Sequence, residues 1–385
     1  MDFELTQEQR LVREMARKFA DEEIVPVARE NDMQCHFPRE ILQKMAPLGL
    51  LGTIIPEEYG GAGLDFISHA IVTEEIGRGC SSVRTTLSVQ VSLVELLILN
   101  WGTEEQKKNY LPRLCRGEVI GCFGLTEPNA GSDVASVGTS AVRNGDKWVL
   151  NGAKTWITNA GVADIAIIIA RIAGTKKHEG LTAFIVERDK VQGYETRNIE
   201  NKLGLRASNT AEIILQDCAV PEGAVLGGVG DGFRLVMSGL DNGRFSVAAG
   251  CVGTCQACID ASVSYARERV QFDKPIGSFQ LVQDMVARMV VETEAARLLV
   301  YRAAHVKNKG GKSTLETSIA KYFASEAAQR VTYMALQIHG GYGYSNEFPV
   351  ERHYRDARVS TIYEGTSEIQ KLIIGRETLG LKAFT

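Results

Sequence analysis

The feature that most constrains this 385-residue chain is a double change in its hydrophobic periodicity. Up to about residue 115 the apolar residues recur at helical spacing, as Leu11, Met15 and Phe19 do. Short β-rich runs separated by turn signals then take over, at 147–150, 163–172, 181–187 and 211–216. Long Ala-rich helical runs return after about residue 230, at 282–307 and 314–339. The chain therefore runs from helices to strands and back to helices.

This order predicts an α+β fold of three domains. Strands that follow one another through turns, without helices between them, favour an antiparallel β-barrel or sandwich. The two long C-terminal runs resemble half of a four-helix bundle. We predict an N-terminal all-α domain (1–117), a middle β domain (118–228) and a C-terminal four-helix bundle (229–385). The pairs Thr6/Gln9 and Thr103/Gln106 match the capping box, and they predict two helix starts.

The composition excludes several classes of protein. Apolar residues make up 44% and charged residues 23%, which is typical of soluble globular chains. A net charge of −4 argues against a nucleic-acid partner. No uninterrupted apolar run approaches the roughly 18 residues of a membrane span, and the N-terminus lacks the pattern of a secretory signal. We expect a cytoplasmic protein, or one of the mitochondrial matrix if a transit peptide has been removed.

Metal and dinucleotide motifs are weak in this sequence. Cys251, Cys255 and Cys258 have helical spacing, but their small-residue surroundings favour core packing, and no fourth ligand is near. We therefore predict no metal site. The glycine-rich stretch 227–232 follows a turn and lacks the downstream acidic residue of a dinucleotide-binding unit. A flavin or nucleotide would have to be held in another way.

Three segments carry groups suited to chemistry. The loop LTEPNAGSD (125–133) offers small residues and hydroxyls, so its backbone N–H groups can approach a ring or a phosphate. KTWITN (154–159) presents an indole beside two hydroxyls. IYEGT (362–366) carries a carboxylate next to a glycine. Each segment taken alone could be purely structural.

Together, and in this order, these segments resemble the acyl-CoA dehydrogenase family. The resemblance runs the full length, from MDFELTQEQ through PEEYGGAG, RERVQFDKPI, QIHGGYGYS and FPVERHYRDA to TIYEGTSEIQ. It implies FAD held between the β domain and the C-terminal helices, an acyl-CoA substrate, and electron-transferring flavoprotein as the acceptor. It also implies a homo-oligomer, usually a tetramer.

The resemblance assigns the residues that contact FAD. Trp156 would pack on the isoalloxazine ring, and Thr158 would lie near its N5. A neighbouring subunit would supply Arg269 and its segment, in which Asp273 replaces a common glycine. The complete implied FAD set is Phe123, Leu125, Thr126, Gly131, Ser132, Trp156, Thr158, Arg269, Gln271, Phe272, Gln337, Gly341, Thr366 and Glu368.

Glu364 matches the catalytic base of the family. The α-proton of a thioester is weakly acidic, so its removal needs a base and a group that stabilises the forming enolate. The resemblance implies that the β-hydrogen then leaves as hydride. Asp241 and Arg244 match residues that hold the CoA end, and the resemblance implies that Gly365 would lie beside the FAD and that Ser132 would also bond to the pantetheine.

The acyl group is left open by the sequence. Residues 82–90 resemble glutaryl-CoA dehydrogenases, in which Arg84 and Ser88 would hold a distal carboxylate. The alternative is a structural arginine, which extends its charged end to solvent or pairs with Glu74 or Glu75. The acidic residue that accompanies this arginine in that subfamily falls on Gly77 here.

Glu95 adds a carboxylate near the expected acyl pocket. It could repel a dicarboxylate, pair with Arg84, or act as a second base on a cyclic substrate. We therefore predict FAD-dependent α,β-dehydrogenation of a short, branched, cyclic or dicarboxylic acyl-CoA. The alternatives are glutaryl-CoA dehydrogenase proper, an oxygen-using acyl-CoA oxidase-like enzyme, and a non-catalytic flavin- or acyl-CoA-binding helper.

Overall fold

The N-terminal part of the molecule is helical, as the periodicity predicts. The computed structural model describes residues 4–381. Thr6 and Thr103 each accept a hydrogen bond from the backbone of the glutamine three residues later, and that glutamine bonds back, so both capping boxes are confirmed. The helices are α1 (Gln7–Phe19), α2 (Val25–Gln34), α3 (Arg39–Met45), α4 (Phe66–Gly79), α5 (Ser81–Ser88), α6 (Leu96–Trp101) and α7 (Glu104–Cys115).

Two π-helical turns interrupt this helical part. Ala20–Ile24 joins α1 to α2, and Val89–Glu95 joins α5 to α6. The second turn makes Ser81–Trp101 one continuous helix, which is long and apolar enough to cross a membrane. Gly232–Glu268 passes the same test. Within these two helices, 94% and 78% of the most apolar window is buried inside the fold, as in core helices.

The middle part is one sheet of eight strands. Its order is β6-β7-β3-β2-β4-β5-β8, with β1 also paired to β4. The strands are β1 (Gly121–Gly124), β2 (Ser140–Asn144), β3 (Lys147–Thr158), β4 (Ile165–Ile172), β5 (Leu181–Glu187), β6 (Tyr194–Asn198), β7 (Thr210–Pro221) and β8 (Val225–Leu226).

The prediction of an antiparallel barrel or sandwich is wrong in two respects. The sheet is mixed, because β1 and β2 both run parallel to β4, and within residues 4–381 the strands do not close into a barrel. β1 pairs with the first half of β4, from Ile165 to Ile168, and β2 pairs with its end, at Arg171 and Ile172. β1 and β2 therefore lie end to end along the same side of β4. The loop of residues 125–139 connects them and is called the excursion.

The C-terminal part is again helical and rests on three long helices that pack against one another. The helices are α8 (Gly232–Glu268), α9 (Gln280–Asn308), α10 (Thr314–His339), α11 (Val350–Ala357) and α12 (Ser367–Leu379). A small hairpin of β9 (Val270–Gln271) and β10 (Lys274–Pro275) leaves α8. Cys251, Cys255 and Cys258 are free thiols in the hydrophobic core of these helices.

Candidate active site

Glu364 lies on a strained turn between α11 and α12. Its φ of 51° is left-handed, and so is that of Gly365, at 91°. A non-glycine residue adopts this conformation only where its surroundings hold it. The side-chain amide of Gln370 donates to the Glu364 carbonyl (3.2 Å) and the Gly365 carbonyl (3.0 Å), and Lys321 Nζ donates to the Gly365 carbonyl at 2.7 Å.

The Glu364 carboxylate is built into a poorly solvated slot. Its Oε2 is shielded from water and has no hydrogen-bond partner in the described chain. A Cβ added to Gly243 of α8 would lie 1.6 Å from that oxygen, so the carboxylate occupies space that only a glycine leaves free. Burial raises the pKa of Glu364 to about 7, although three cations, Arg84, Lys321 and Arg244, oppose the rise. A carboxyl with this pKa can both take and release a proton near neutral pH.

Arg84 lies in the same site and does not pair as the alternative interpretation expected. Glu74 is bound by Arg297, and Glu75 is bound by Arg17 and Arg78. The side chain of Arg84 is buried, and its Nη2 donates to the Tyr363 hydroxyl at 2.8 Å. Its Nε and Nη1 have no partner in the described chain. Two free donors on a buried guanidinium fit a planar anionic ligand.

The other expected substrate contacts also have defined positions. Ser88 is one helical turn from Arg84, and its Oγ accepts a hydrogen bond from the Ser246 hydroxyl at 2.7 Å. Arg244 is buried, donates to Asp241 at 2.6 Å, and keeps an unpartnered Nε. The structure thus brings the charges of Arg84 and Arg244 to bear on one carboxylate, that of Glu364.

Glu95 does not join this group, so the idea that it pairs with Arg84 is wrong. It is fully buried at the end of the second π-helical turn. Neither of its carboxylate oxygens has a partner in the described chain. Its electrostatic neighbour is Cys115 of α7, not Arg84 or Glu364. Burial raises the pKa of Glu95 well above its ordinary value, because the charged form of the carboxylate is poorly solvated there.

Trp156 occupies an irregular position on β3 that turns its ring outward. The register between β3 and β7 shifts between Lys154 and Ile157, and Trp156 takes a φ of 59°. Its side chain is 62% exposed although its neighbours Thr155 and Ile157 are buried. A bulge of this kind re-aims one side chain at a ligand. The flat exposed indole beside Thr158 is the surface that an isoalloxazine ring needs.

The remaining expected contacts of the middle part lie along β1 and the excursion after it. Phe123 is on β1, opposite Ile167 of β4, and Leu125 ends the buried stretch. Thr126 is half-buried, and Gly131 and Ser132 are exposed. Across the chain, Thr366 caps α12 through a bond from the Ile369 N–H (3.3 Å), and Glu368 is exposed beside it. These positions fit a flavin lying against Trp156 and the excursion.

A second set of expected FAD residues lies elsewhere on the chain. Arg269, Gln271 and Gly341 line one open cavity of about 580 Å³. Phe272 is 87% exposed at the tip of the β9–β10 hairpin, and Gln337 is exposed near the end of α10.

The distance along α10 shows how far part of this second set lies from the Glu364 site. Gln337 is sixteen residues from Lys321 on α10, which corresponds to about 24 Å along the helix axis.

The turn of the β9–β10 hairpin has positive φ at both Phe272 (51°) and Asp273 (60°), as a two-residue turn requires. Aspartate tolerates this region, which accounts for the replacement of the usual glycine.

Two residues of the Glu364 site escaped the sequence reasoning. Gly243 has no feature that separates it from other helix glycines. Lys321, however, stands in the repeat of Thr317, Ala324 and Ala328, a spacing that places it on the buried face of α10. A lysine at a core position of an Ala-rich helix indicates a functional residue, because lysine is rarely buried unless its ammonium has a partner or a role.

Comparisons with known proteins agree with this geometry. Family models for the acyl-CoA dehydrogenase N-terminal, middle and C-terminal domains match residues 6–118, 122–218 and 230–379. The chain is 46% identical to a glutaryl-CoA dehydrogenase of Desulfococcus multivorans, over 99% of both chains. It is 45% identical to the short-chain specific acyl-CoA dehydrogenase of Clostridium acetobutylicum, over 97% and 98% of the two chains.

A solved structure described as electron transferring flavoprotein of Acidaminococcus fermentans has the same fold. Its chain superimposes with a TM-score of 0.97 at 42% identity, over 98% of this chain and 100% of the other. The chain belongs to the acyl-CoA dehydrogenase family, whose members are oxidoreductases that use FAD.

Proposed function

We propose that this protein catalyses the FAD-dependent α,β-dehydrogenation of an acyl-CoA thioester, with Glu364 as the base. The observation that carries the proposal is the Glu364 carboxylate. It has an unpartnered, shielded oxygen on a strained turn, and three cations face it. With a pKa of about 7, this group is ionised often enough at neutral pH to accept a proton.

In this mechanism Glu364 takes the α-proton of the thioester. The Glu364 backbone N–H donates no hydrogen bond within residues 4–381, so it is free to bind the thioester oxygen and stabilise the enolate. Arg244, held by Asp241, binds the CoA portion and fixes the thioester beside the base. Trp156 and Thr158 would hold the ring of FAD, which would supply the acceptor for the β-hydrogen and its two electrons, so that the product would be the α,β-unsaturated thioester.

The acyl group that the site suits best is a short chain with a distal carboxylate. Within residues 4–381 Arg84 is a buried cation without a hydrogen-bonded acidic partner, and its free Nε and Nη1 can bind a carboxylate at two points. Gly77 cannot carry a counter-ion, because a Cβ there would lie 2.9 Å from the Gly250 carbonyl. Ser88, one turn away, adds a hydroxyl. The relative from Desulfococcus multivorans that is named glutaryl-CoA dehydrogenase supports the same choice.

A neutral short-chain thioester is the second candidate. Arg84 also acts electrostatically on Glu364, whose carboxylate can balance the guanidinium when no substrate anion is present. The relative from Clostridium acetobutylicum that is named short-chain specific supports this alternative.

The test is anaerobic flavin bleaching of the holoenzyme with a panel of thioesters: butyryl, isobutyryl, octanoyl, cyclohexanecarboxyl, cyclohexenecarboxyl and glutaryl. We expect glutaryl-CoA to bleach the flavin and Glu364→Gln to abolish bleaching while FAD stays bound. Arg84→Met should lose bleaching by glutaryl-CoA and keep it with butyryl-CoA. Bleaching by the butyryl thioester alone in the wild type would select the second candidate. Undiminished bleaching in Glu364→Gln would sink the proposal.

We further propose that electrons pass to an electron-transferring flavoprotein and that the enzyme is a cytoplasmic homotetramer. The separation of about 24 Å along α10 between Lys321 and Gln337 supports a homo-oligomer, in which the Gln337 end of the helix would contact the FAD of a neighbouring subunit. Light scattering of the holoenzyme checks the oligomeric state. Rapid peroxide formation on reoxidation by oxygen would favour an oxidase instead, and release of CO₂ from glutaryl-CoA would reveal decarboxylation.

A further inference from the structure

The turn that carries Glu364 is held from outside by two side chains. Glu364 and Gly365 are both left-handed, so the turn does not keep this shape by its own preference. Gln370 of α12 bonds to both carbonyls, and Lys321 of α10 bonds to the Gly365 carbonyl at the shorter distance of 2.7 Å. α10 packs against α8 and α12, so Lys321 is fixed between the helices that border the site.

Lys321 is an unusual cation because its charge has no direct partner. The side chain is fully buried, and no carboxylate in the described chain lies within ion-pair distance of it. The Gly365 carbonyl is its hydrogen-bond acceptor. Placing an ammonium in the interior against a neutral acceptor costs free energy, and burial accordingly lowers the pKa of Lys321 to about 8. A buried lysine of this kind is expected to have a functional role that offsets this free-energy cost.

The surrounding charges identify that purpose. The groups that act electrostatically on Lys321 are Cys251, Glu364, Arg244, Glu326 and Glu368. Burial raises the pKa of the Cys251 thiol, which is therefore neutral. Glu326 is already bound by Ser367, and Glu368 is exposed to solvent. Glu364 is the shielded carboxylate that benefits most from the Lys321 charge. The groups that act on Glu364 in turn are Arg84 on α5, Arg244 on α8 and Lys321 on α10.

We propose that Lys321 is a positioning residue for the dehydrogenation, acting on Glu364 in two ways. Its hydrogen bond to the Gly365 carbonyl holds the left-handed turn, and its charge favours the ionised form of the carboxylate. The inference rests on the proposed role of Glu364 as the base. It is separable from that role, because Glu364→Gln tests the base and leaves Lys321 in place.

Two variants separate the hydrogen bond from the charge. Lys321→Gln keeps a donor for the Gly365 carbonyl and removes the charge, whereas Lys321→Met removes both. The measurement is the rate of anaerobic bleaching of the holoenzyme by its active thioester, from pH 5.5 to 9. The loss of a cation facing Glu364 should move the midpoint of the pH profile to higher pH in both variants. A shift of about one pH unit lowers the rate at pH 7 by about fivefold. Lys321→Met should also lower the plateau rate at high pH.

Lys202→Met is the matched control. Lys202 Nζ also donates to one backbone carbonyl, that of Ser208, at 2.7 Å, but it lies in the middle part of the chain. This variant should keep the midpoint and the plateau of the wild type. Thermal melting of each holoenzyme reports on folding. The proposal is overturned if both Lys321 variants keep the wild-type midpoint, whether their melting temperature falls or not. If the flavin of Glu364→Gln is bleached at the wild-type rate, Glu364 is not the base. That result would overturn the proposed function as well as the role of Lys321.

Discussion

Lys154 Nζ lies 2.6 Å from Glu127 Oε1, and this ion pair anchors the start of the 125–139 loop between β1 and β2 to strand β3. Lys154 is fully buried on β3 and also donates to the Leu125 carbonyl at 3.2 Å. Glu127 accepts the N–H groups of Gly138 (2.7 Å) and Thr139 (2.9 Å) at the far end of the excursion. One ion pair therefore joins both ends of the segment that carries the expected FAD residues.

We expect Lys154→Met to loosen this segment and to release FAD. The substitution leaves the Glu127 carboxylate shielded and without its cation, and breaking a buried pair in this way costs about 3–5 kcal/mol. The free energy of unfolding in urea should fall by an amount of this order, and the rate of FAD release from the holoenzyme should rise more than tenfold. Release is measured by the return of flavin fluorescence.

An exposed ion pair between β2 and the turn that follows β7 provides the control. Arg143 and Glu222 are both 58% exposed, so Arg143→Met should cost only about 0–1 kcal/mol and leave FAD release unchanged. The double variant Lys154→Met with Glu127→Gln should be less damaging than the sum of its single changes. Wild-type FAD release in Lys154→Met would refute the clamp.

Gly243→Ala should remove activity without removing FAD. The new methyl group would lie 1.6 Å from Glu364 Oε2, so the carboxylate must leave its slot. We expect the bleaching rate to fall by about two orders of magnitude or more, as displacement of a catalytic group does. Gly375→Ala is the control, because a Cβ there meets nothing within 4 Å. That helix substitution should raise stability by about 0.5–1 kcal/mol and leave the rate unchanged. Full activity of Gly243→Ala would show that Glu364 works from another position.

The sequence predicts local features well because those depend on neighbours along the chain. The expected run 314–339 coincides with α10, and both capping boxes form. The parallel pairing of β1 and β2 with β4 was not predictable, since turn signals reveal where a strand ends and not which strand lies beside it.

The charges of the site show the same limit. Arg84 and Glu364 could be matched to family motifs, but the absence of an acidic partner for Arg84 depends on Arg297, Arg17 and Arg78 binding its two expected carboxylates. The prediction that Glu95 lies near the acyl pocket rests only on its position in the chain. A π-helical turn changes the face that later residues of the helix present, and sequence spacing does not reveal that change.

Glu364→Gln should stabilise the enzyme in a pH-dependent way. The pKa of Glu364 is about 7 in the folded protein, above its ordinary value, so the folded state binds this proton more tightly than the unfolded chain does. That contribution to stability is complete below the ordinary pKa of about 4.5 and is lost as pH rises through 7. Glutamine does not titrate. The melting temperature of the variant relative to wild type should therefore rise between about pH 4.5 and 7 and then level off, which calorimetry can measure. A difference that does not vary with pH would contradict the shifted pKa.

Glu95 allows the sharpest separation between a structural and a catalytic carboxylate. It is fully buried beside Cys115, has no hydrogen-bond partner within residues 4–381, and burial raises its pKa and so favours the protonated form. Glutamine has the same shape and no charge, so Glu95→Gln should bleach with every active thioester at the wild-type rate.

The stability of Glu95→Gln provides a second test that Glu95 is a structural carboxyl with a raised pKa. Because the folded state holds the Glu95 proton tightly, ionisation at high pH costs the wild type stability that Glu95→Gln keeps. The variant should therefore gain resistance to urea relative to wild type as pH rises above the ordinary glutamate pKa of about 4.5. Glu364→Gln, measured in parallel, should lose bleaching at every pH. If Glu95→Gln instead lost bleaching with the cyclohexenecarboxyl thioester and kept it with butyryl-CoA, Glu95 would be a second base, because only a proton acceptor near the ring would produce that selectivity.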